Sequence, residues 1–83
     1  MATLEHSVKA LVLRGLLDNQ LTFDQLVADT YQESNPNLVQ IAIDRLMEVK
    51  FIFKVKYPFV DSTFYAITEQ GKTAFGEYLS RID

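Results

Sequence analysis

The chemistry open to this chain is limited first by what it lacks. It has no cysteine and a single histidine, His6, which has no acidic or histidine partner at ligand spacing. Disulfides, thiolate metal sites and thiol catalysis are therefore excluded, as is a histidine cluster or triad within one chain. Asp24, Asp29, Glu33 and Asp44 form no paired-carboxylate motif, and neither a glycine-rich phosphate loop nor G-x-S-x-G is present. No enzyme is expected, with no catalytic residue, metal or cofactor. What remains is a group of side chains suited to reading another macromolecule. Asn37 and Gln40 can each pair with an adenine edge, and Arg45 with guanine or phosphate. Ile41 or Leu38 can touch a thymine methyl, while Lys54 and Lys56, two apart, can hold phosphates.

The same residues admit other readings. Asp44 and Glu48 share the outer side with Asn37 and Gln40 and would repel phosphate. Leu38, Ile41 and Arg45 form a stripe at i, i+3 and i+7, and apolar anchors beside an arginine suit a protein contact. Ile41 can equally be a lone exposed apolar residue. Lys54 and Lys56 can be a solvated strand face that protects a sheet edge from pairing. Lys9 and Arg14 read as surface charges, and His6 as a surface or dimer-seam residue.

A capped helix running into a strand must position this group. Asn35 is a good N-cap and Pro36 suits the first helical position. Val39, Ala42, Ile43, Leu46 and Met47 then recur at helical spacing up to about Lys50. From Phe51 the period becomes two: Phe51, Phe53 and Val55 alternate with Ile52, Lys54 and Lys56, predicting a strand to Tyr57. Pro58 to Ser62 is a short loop with one acid and no base, and Thr63 to Ile67 a second strand. Phe59 in that loop is expected to be an exposed contact or a lid on the core. Tyr31, Tyr57, Tyr65 and Tyr78 are read mostly as packing.

Upstream, Thr3 caps a first helix from Leu4 to about Asp18. Leu4, Val8, Leu11, Val12 and Gly15 lie on one side, Leu13 and Leu17 with Ala10 on another. A helix apolar on two sides must be covered on both, either by the last helix or by a homodimer seam at Leu13 and Leu17. Gly15 permits close approach of another helix. Thr22 and Gln25 make a capping box, with Leu21 and Leu26 at the staple positions, for a helix from Phe23 to Gln32. Its apolar face is Phe23, Leu26, Val27 and Tyr31, and Glu33 to Asn35 turn into the central helix. Downstream, Thr68 caps a last helix with Ala74, Phe75, Tyr78, Leu79 and Ile82 on its apolar face, before Ser80 to Asp83 fray. The fold class is α+β, mostly α: a winged helix-turn-helix of three helices, a two-stranded β wing and a C-terminal helix, in one domain over residues 1–83.

Two segments carry a family resemblance. Leu46-Met47-Glu48-Val49-Lys50-Phe51-Ile52 resembles the L-x-x-x-G-hydrophobic-hydrophobic exit of the third helix in winged-helix transcriptional regulators. Tyr65-Ala66-Ile67-Thr68-Glu69-Gln70-Gly71-Lys72 resembles their Y-x-L-T-x-x-G-K/R link from wing to last helix. The second pattern is the more specific, and is common in the multiple-antibiotic-resistance-regulator and phenolic-acid-regulator types. The resemblance implies double-stranded DNA as partner, with Asn37, Gln40, Ile41, Arg45, Lys54 and Lys56 as the contacts. Two positions depart from the pattern. Lys50 replaces the usual glycine and must take a left-handed conformation or end the helix differently. The wing tip lacks the Arg or Lys that family members often place in the minor groove.

The 83 residues carry a net charge of −3, whereas a dedicated nucleic-acid binder usually shows a basic footprint. A local patch can oppose the net sign. No apolar run approaches the roughly 18 residues of a membrane span, and MATLEHSVKA lacks a signal-peptide layout, so a cytoplasmic, intracellular protein with no membrane partner is expected. The sequence thus supports a small DNA-binding transcriptional regulator, expected as a homodimer. The alternative is a protein-interaction module on the same fold, an assembly subunit or a phage or plasmid factor that binds a host protein. Its contacts would be Leu13, Leu17, Leu38, Ile41 and Phe59.

Overall fold

In the computed structural model the elements run α1 (Leu4–Leu16), β1 (Leu21–Thr22), α2 (Phe23–Asp29), α3 (Pro36–Glu48), β2 (Ile52–Val55), β3 (Phe64–Ile67) and α4 (Glu69–Leu79). The structure describes residues 4–79, with side chains from Ser7 to Tyr78. The Thr3 cap, the fraying at Ser80 to Asp83 and the side chains of Leu4, His6, Leu79 and Ile82 lie outside the described residues.

Helix α1 is the hub. Val8, Val12 and Leu13 are fully buried and Leu16 nearly so, because α1 packs against α2, α3, α4 and β3. Its second apolar side is therefore covered from within the chain. Leu13, expected on a seam between copies, is enclosed by its own chain, and only Leu17 stays 36 % exposed. A homodimer seam on α1 would have to be built without Leu13. Gly15 does permit a close approach: a Cβ there would collide with Asp29 Oδ2, the carboxylate at the end of α2.

Helix α2 begins with the expected capping box. The Gln25 amide donates to Thr22 Oγ1 (3.2 Å) and the Thr22 amide to Gln25 Oε1 (2.9 Å). It stops at Asp29 rather than Gln32 because the chain reverses there. The Tyr31 amide donates to Ala28 O (3.2 Å) and the Gln32 amide to Val27 O (3.0 Å), a Schellman closure with Tyr31 at φ 59°. This turns Tyr31 outward, 80 % exposed, instead of onto the apolar face of α2. Thr30 is buried, and its hydroxyl donates to Leu26 O (2.8 Å).

The sheet has order β1-β3-β2 and is antiparallel throughout. Leu21 and Thr22 pair with Tyr65 and Phe64, adding a third strand to the expected two. A two-residue strand has no period to read, and its residues also serve as staple and cap. In β2 the inward side chain is Ile52, 2 % exposed, while Phe53 faces outward, 48 % exposed.

Helix α3 starts at Asn35 and Pro36 as expected, but the Asn35 side chain makes no capping bond. Its C-terminus repeats the α2 solution. The Lys50 amide donates to Met47 O (3.0 Å) and the Phe51 amide to Leu46 O (2.9 Å), with Lys50 at φ 65°. Lys50 thus adopts the left-handed conformation that a glycine would take without strain.

Thr68 ties the wing to α4. Its hydroxyl accepts from the Gly71 amide (3.0 Å) and donates towards Lys50 O (2.8 Å), and its own amide donates to Phe51 O (2.9 Å). The chain at Phe51 passes so close that a Cβ on Gly71 would collide with Phe51 O and lie 2.7 Å from Ile67 Cγ1. The Thr-x-x-Gly pattern is therefore a cap followed by a backbone crossing.

Candidate functional site

Val39, Ala42, Ile43 and Leu46 of α3 are fully buried, which fixes the roll of the helix. At about 100° per residue the opposite ridge falls on Asn37, Ile41, Asp44 and Glu48, all exposed. Gln40 lies on one flank, with Met47, towards the wing. Arg45 lies on the other flank, with Leu38 and Val49. There it lines a shallow cleft with Lys9, Glu48, Phe51 and Tyr78 between α1, α3 and α4. The expected set is thus divided: Asn37, Gln40 and Ile41 look outward or to the wing, while Arg45 looks towards α1. Leu38 is half-buried against the core, so the expected Leu38–Ile41–Arg45 stripe is not one exposed surface.

Charge divides the helix along its length. The first turn carries no acid, and Asn37, Gln40 and Ile41 are neutral. Asp44 and Glu48 sit in the second half. Gln40 Nε2 donates to Asp44 Oδ1 (2.9 Å). Such a pair on an exposed helix face stabilises by only about 0.2–0.5 kcal/mol, so Gln40 can be redirected cheaply. Asp44 also acts inward. Burial, and then the Asp44 carboxylate, push the Tyr65 phenol above its ordinary value, so Tyr65 stays protonated at neutral pH.

The positive charge lies on the wing side. Within β2, Lys54 alternates with Phe53 and Val55 and so falls on the face that carries Ile52 and turns towards the helices, while Lys56 follows the end of the strand. Lys50, Lys54 and Lys56 are exposed and make no ion pair among the described residues, whereas Lys72 pairs with Glu69 (3.3 Å).

Beyond them the wing tip runs Pro58, Phe59 and Val60 before Asp61 and Ser62. The Val60 amide donates to Tyr57 O (3.3 Å) across a turn with Pro58 second and Phe59 third, at φ 67°. Phe59 is fully exposed, so it is no lid on the core. Tyr57, expected as packing, is 44 % exposed; its ring meets Phe64 edge-on at 5.7 Å and its hydroxyl donates to Gln20 Oε1.

Among the described residues no group of three or more His, Cys, Asp or Glu side chains is placed to hold a metal ion, and no helix is long and apolar enough to cross a membrane.

Two solved structures share this arrangement. A cysteine-to-serine mutant of Lactococcus lactis ZitR superposes with a TM-score of 0.77 at 17% identity, over 89% of this chain and 50% of ZitR. A PadR family transcription regulator from hypervirulent Clostridium difficile R20291 superposes with a TM-score of 0.74 at 12% identity, over 89% of this chain and 84% of that one. The chain spans half the length of ZitR and most of the PadR regulator. No protein-family model and no curated protein matches the chain. At these identities the likeness shows the fold alone, a winged helix.

Proposed function

We propose that the chain is a regulator-type winged-helix protein that contacts duplex DNA. The first half of α3 would sit against base edges and the lysines of β2 and the wing on phosphates. The observation that carries this reading is the neutral, exposed first half of α3 in the same domain as Lys54 of β2 and Lys56 of the wing, both exposed and without an ion pair among the described residues. Asn37 and Gln40 supply the amide pairs for adenine, and Ile41 an apolar contact for a thymine methyl. Arg45, on the α1 flank, would reach at most a backbone phosphate. Asp44 and Glu48 keep the second half of the helix off the duplex. With few cations engaged and a net charge of −3, affinity should be modest and strongly reduced by salt. The fold likeness to a transcription regulator supports the same reading as an analogy.

Fluorescence anisotropy with a mixed pool of labelled duplexes tests it. Saturable binding in the micromolar range at low salt is expected, because phosphate contacts alone supply that much. No binding to any duplex at low salt would remove the reading. That result would leave the second one, a protein contact, which is favoured by the fully exposed Phe59, the 43 % exposed Ile41 and the acids beside it.

A further inference from the structure

The angle between the end of α3 and strand β2 holds a feature that shares only Lys54 with the proposed DNA contact. A shallow, mainly apolar groove of about 510 Å³ runs there, lined by Met47, Lys50, Ile52, Phe53, Lys54 and Thr68. Among the described residues, the order β1-β3-β2 leaves one side of β2 without a neighbouring strand. The Thr68 amide donates to Phe51 O (2.9 Å) and so extends the β2–β3 ladder by one pair. Alternation then turns the backbone groups of Phe53 and Val55 towards β3 and those of Ile52 and Lys54 to the open side. Beside these groups lie an apolar floor, including the half-exposed Phe53, and two cations, Lys50 and Lys54, that make no ion pair among the described residues.

We propose that this groove takes an extended segment of a partner protein, alternating apolar and acidic residues, which adds as a fourth strand along β2. Its backbone pairs with Ile52 and Lys54, its apolar side chains cover Phe53 on the outward face, and its carboxylates meet Lys50 and Lys54 on the side towards α3. The charge selects the occupant. A second copy of this chain pairing through its own β2 would set Lys54 and Lys56 against the same lysines, the usual way an edge is kept from self-association. An acidic strand meets the opposite sign and gains what the lysines deny to a basic one. The four residues of β2 match a segment of about four to six residues.

The inference does not rest on DNA binding, although both readings draw on Lys54, and its test contains no nucleic acid. The ¹⁵N-labelled chain is titrated with a capped six-residue peptide of alternating Glu and Val. A matching Lys–Val peptide serves as the control. Amide shifts and hydrogen exchange are followed residue by residue. Saturable shifts centred on Ile52 and Lys54, with slowed exchange of those two amides, are expected with the Glu–Val peptide only. The Lys50→Glu/Lys54→Glu double variant should bind it about five- to tenfold more weakly, the worth of two exposed ion pairs. Lys54→Pro, which removes an outward N–H without touching the β3 ladder, should weaken it further. If Lys54→Pro fails to fold, the double variant decides alone. Equal binding of the Lys–Val peptide, shifts centred elsewhere, or no saturable shift with the Glu–Val peptide would each overturn the proposal.

Discussion

Replacing Gly71 by Ala tests the crossing that joins the wing to α4. A methyl at Gly71 would collide with Phe51 O and press on Ile67 Cγ1 at 2.7 Å. Phe51 O is not free to yield, since it accepts from the Thr68 amide (2.9 Å) and from the Thr68 hydroxyl (3.1 Å). Its residue follows Lys50, already held at φ 65°. Either α4 shifts outward or these bonds lengthen. Overpacking costs about 1–3 kcal/mol and a weakened hydrogen bond about 1 kcal/mol more. The gain in helix propensity returns about 1 kcal/mol, leaving a net loss of roughly 1–3 kcal/mol. For a chain of this size that is a fall in Tm of about 4–8 °C per kcal/mol. Gly76 is the control in the same helix, because a Cβ there meets nothing within 4 Å. Gly76→Ala should raise stability by about 0.5–1 kcal/mol. Thermal and urea unfolding by circular dichroism measure both. If Gly71→Ala is as stable as Gly76→Ala, the close crossing at Phe51 is not present in solution.

Three further outcomes follow from the geometry. Lys50→Gly should raise the urea midpoint by an amount worth about 0.5–1 kcal/mol, as relief of the left-handed strain outweighs the added chain entropy; a lower midpoint would contradict the left-handed helix end. Asp44→Asn removes a charge from the outer ridge and keeps an acceptor for Gln40, so DNA affinity at low salt should rise roughly two- to fivefold; unchanged affinity would place the ridge away from the duplex. Tyr65 binds its proton more tightly in the folded chain than its usual 10.0 allows, so its contribution is complete below that pH and lost as pH rises through the folded value. Tyr65→Phe should therefore lose less stability than the parent between neutral pH and alkali, measured by urea unfolding across that range.

The fold is legible in the sequence because several independent signals coincide. The Thr22–Gln25 box, Pro36 at the start of α3 and the switch from helical to alternating period near Phe51 each mark a boundary by local chemistry. What stays hidden depends on contacts far apart in sequence. Leu13 and Leu17 look alike along α1, yet packing by the other elements buries one fully and leaves the other partly open. Tyr31 fits the period of α2 but falls past a reversal that no glycine announces. Val39, Ala42, Ile43 and Leu46 are legible as the core side of α3 and already set Arg45 apart from Asn37 and Gln40, but the cleft with Lys9 and Tyr78 that Arg45 lines is not. The groove beside β2 cannot be read from the sequence at all, since it depends on strand order.

The salt dependence of duplex binding tests the central claim most directly. The slope of log K against log salt counts the phosphates engaged, at about 0.9 per contact on duplex DNA. If Lys54 and Lys56 hold phosphates, the Lys54→Gln/Lys56→Gln variant should show a slope shallower by about two, and weaker binding across all sequences alike. An unchanged slope in that variant would contradict the placement of the wing on DNA.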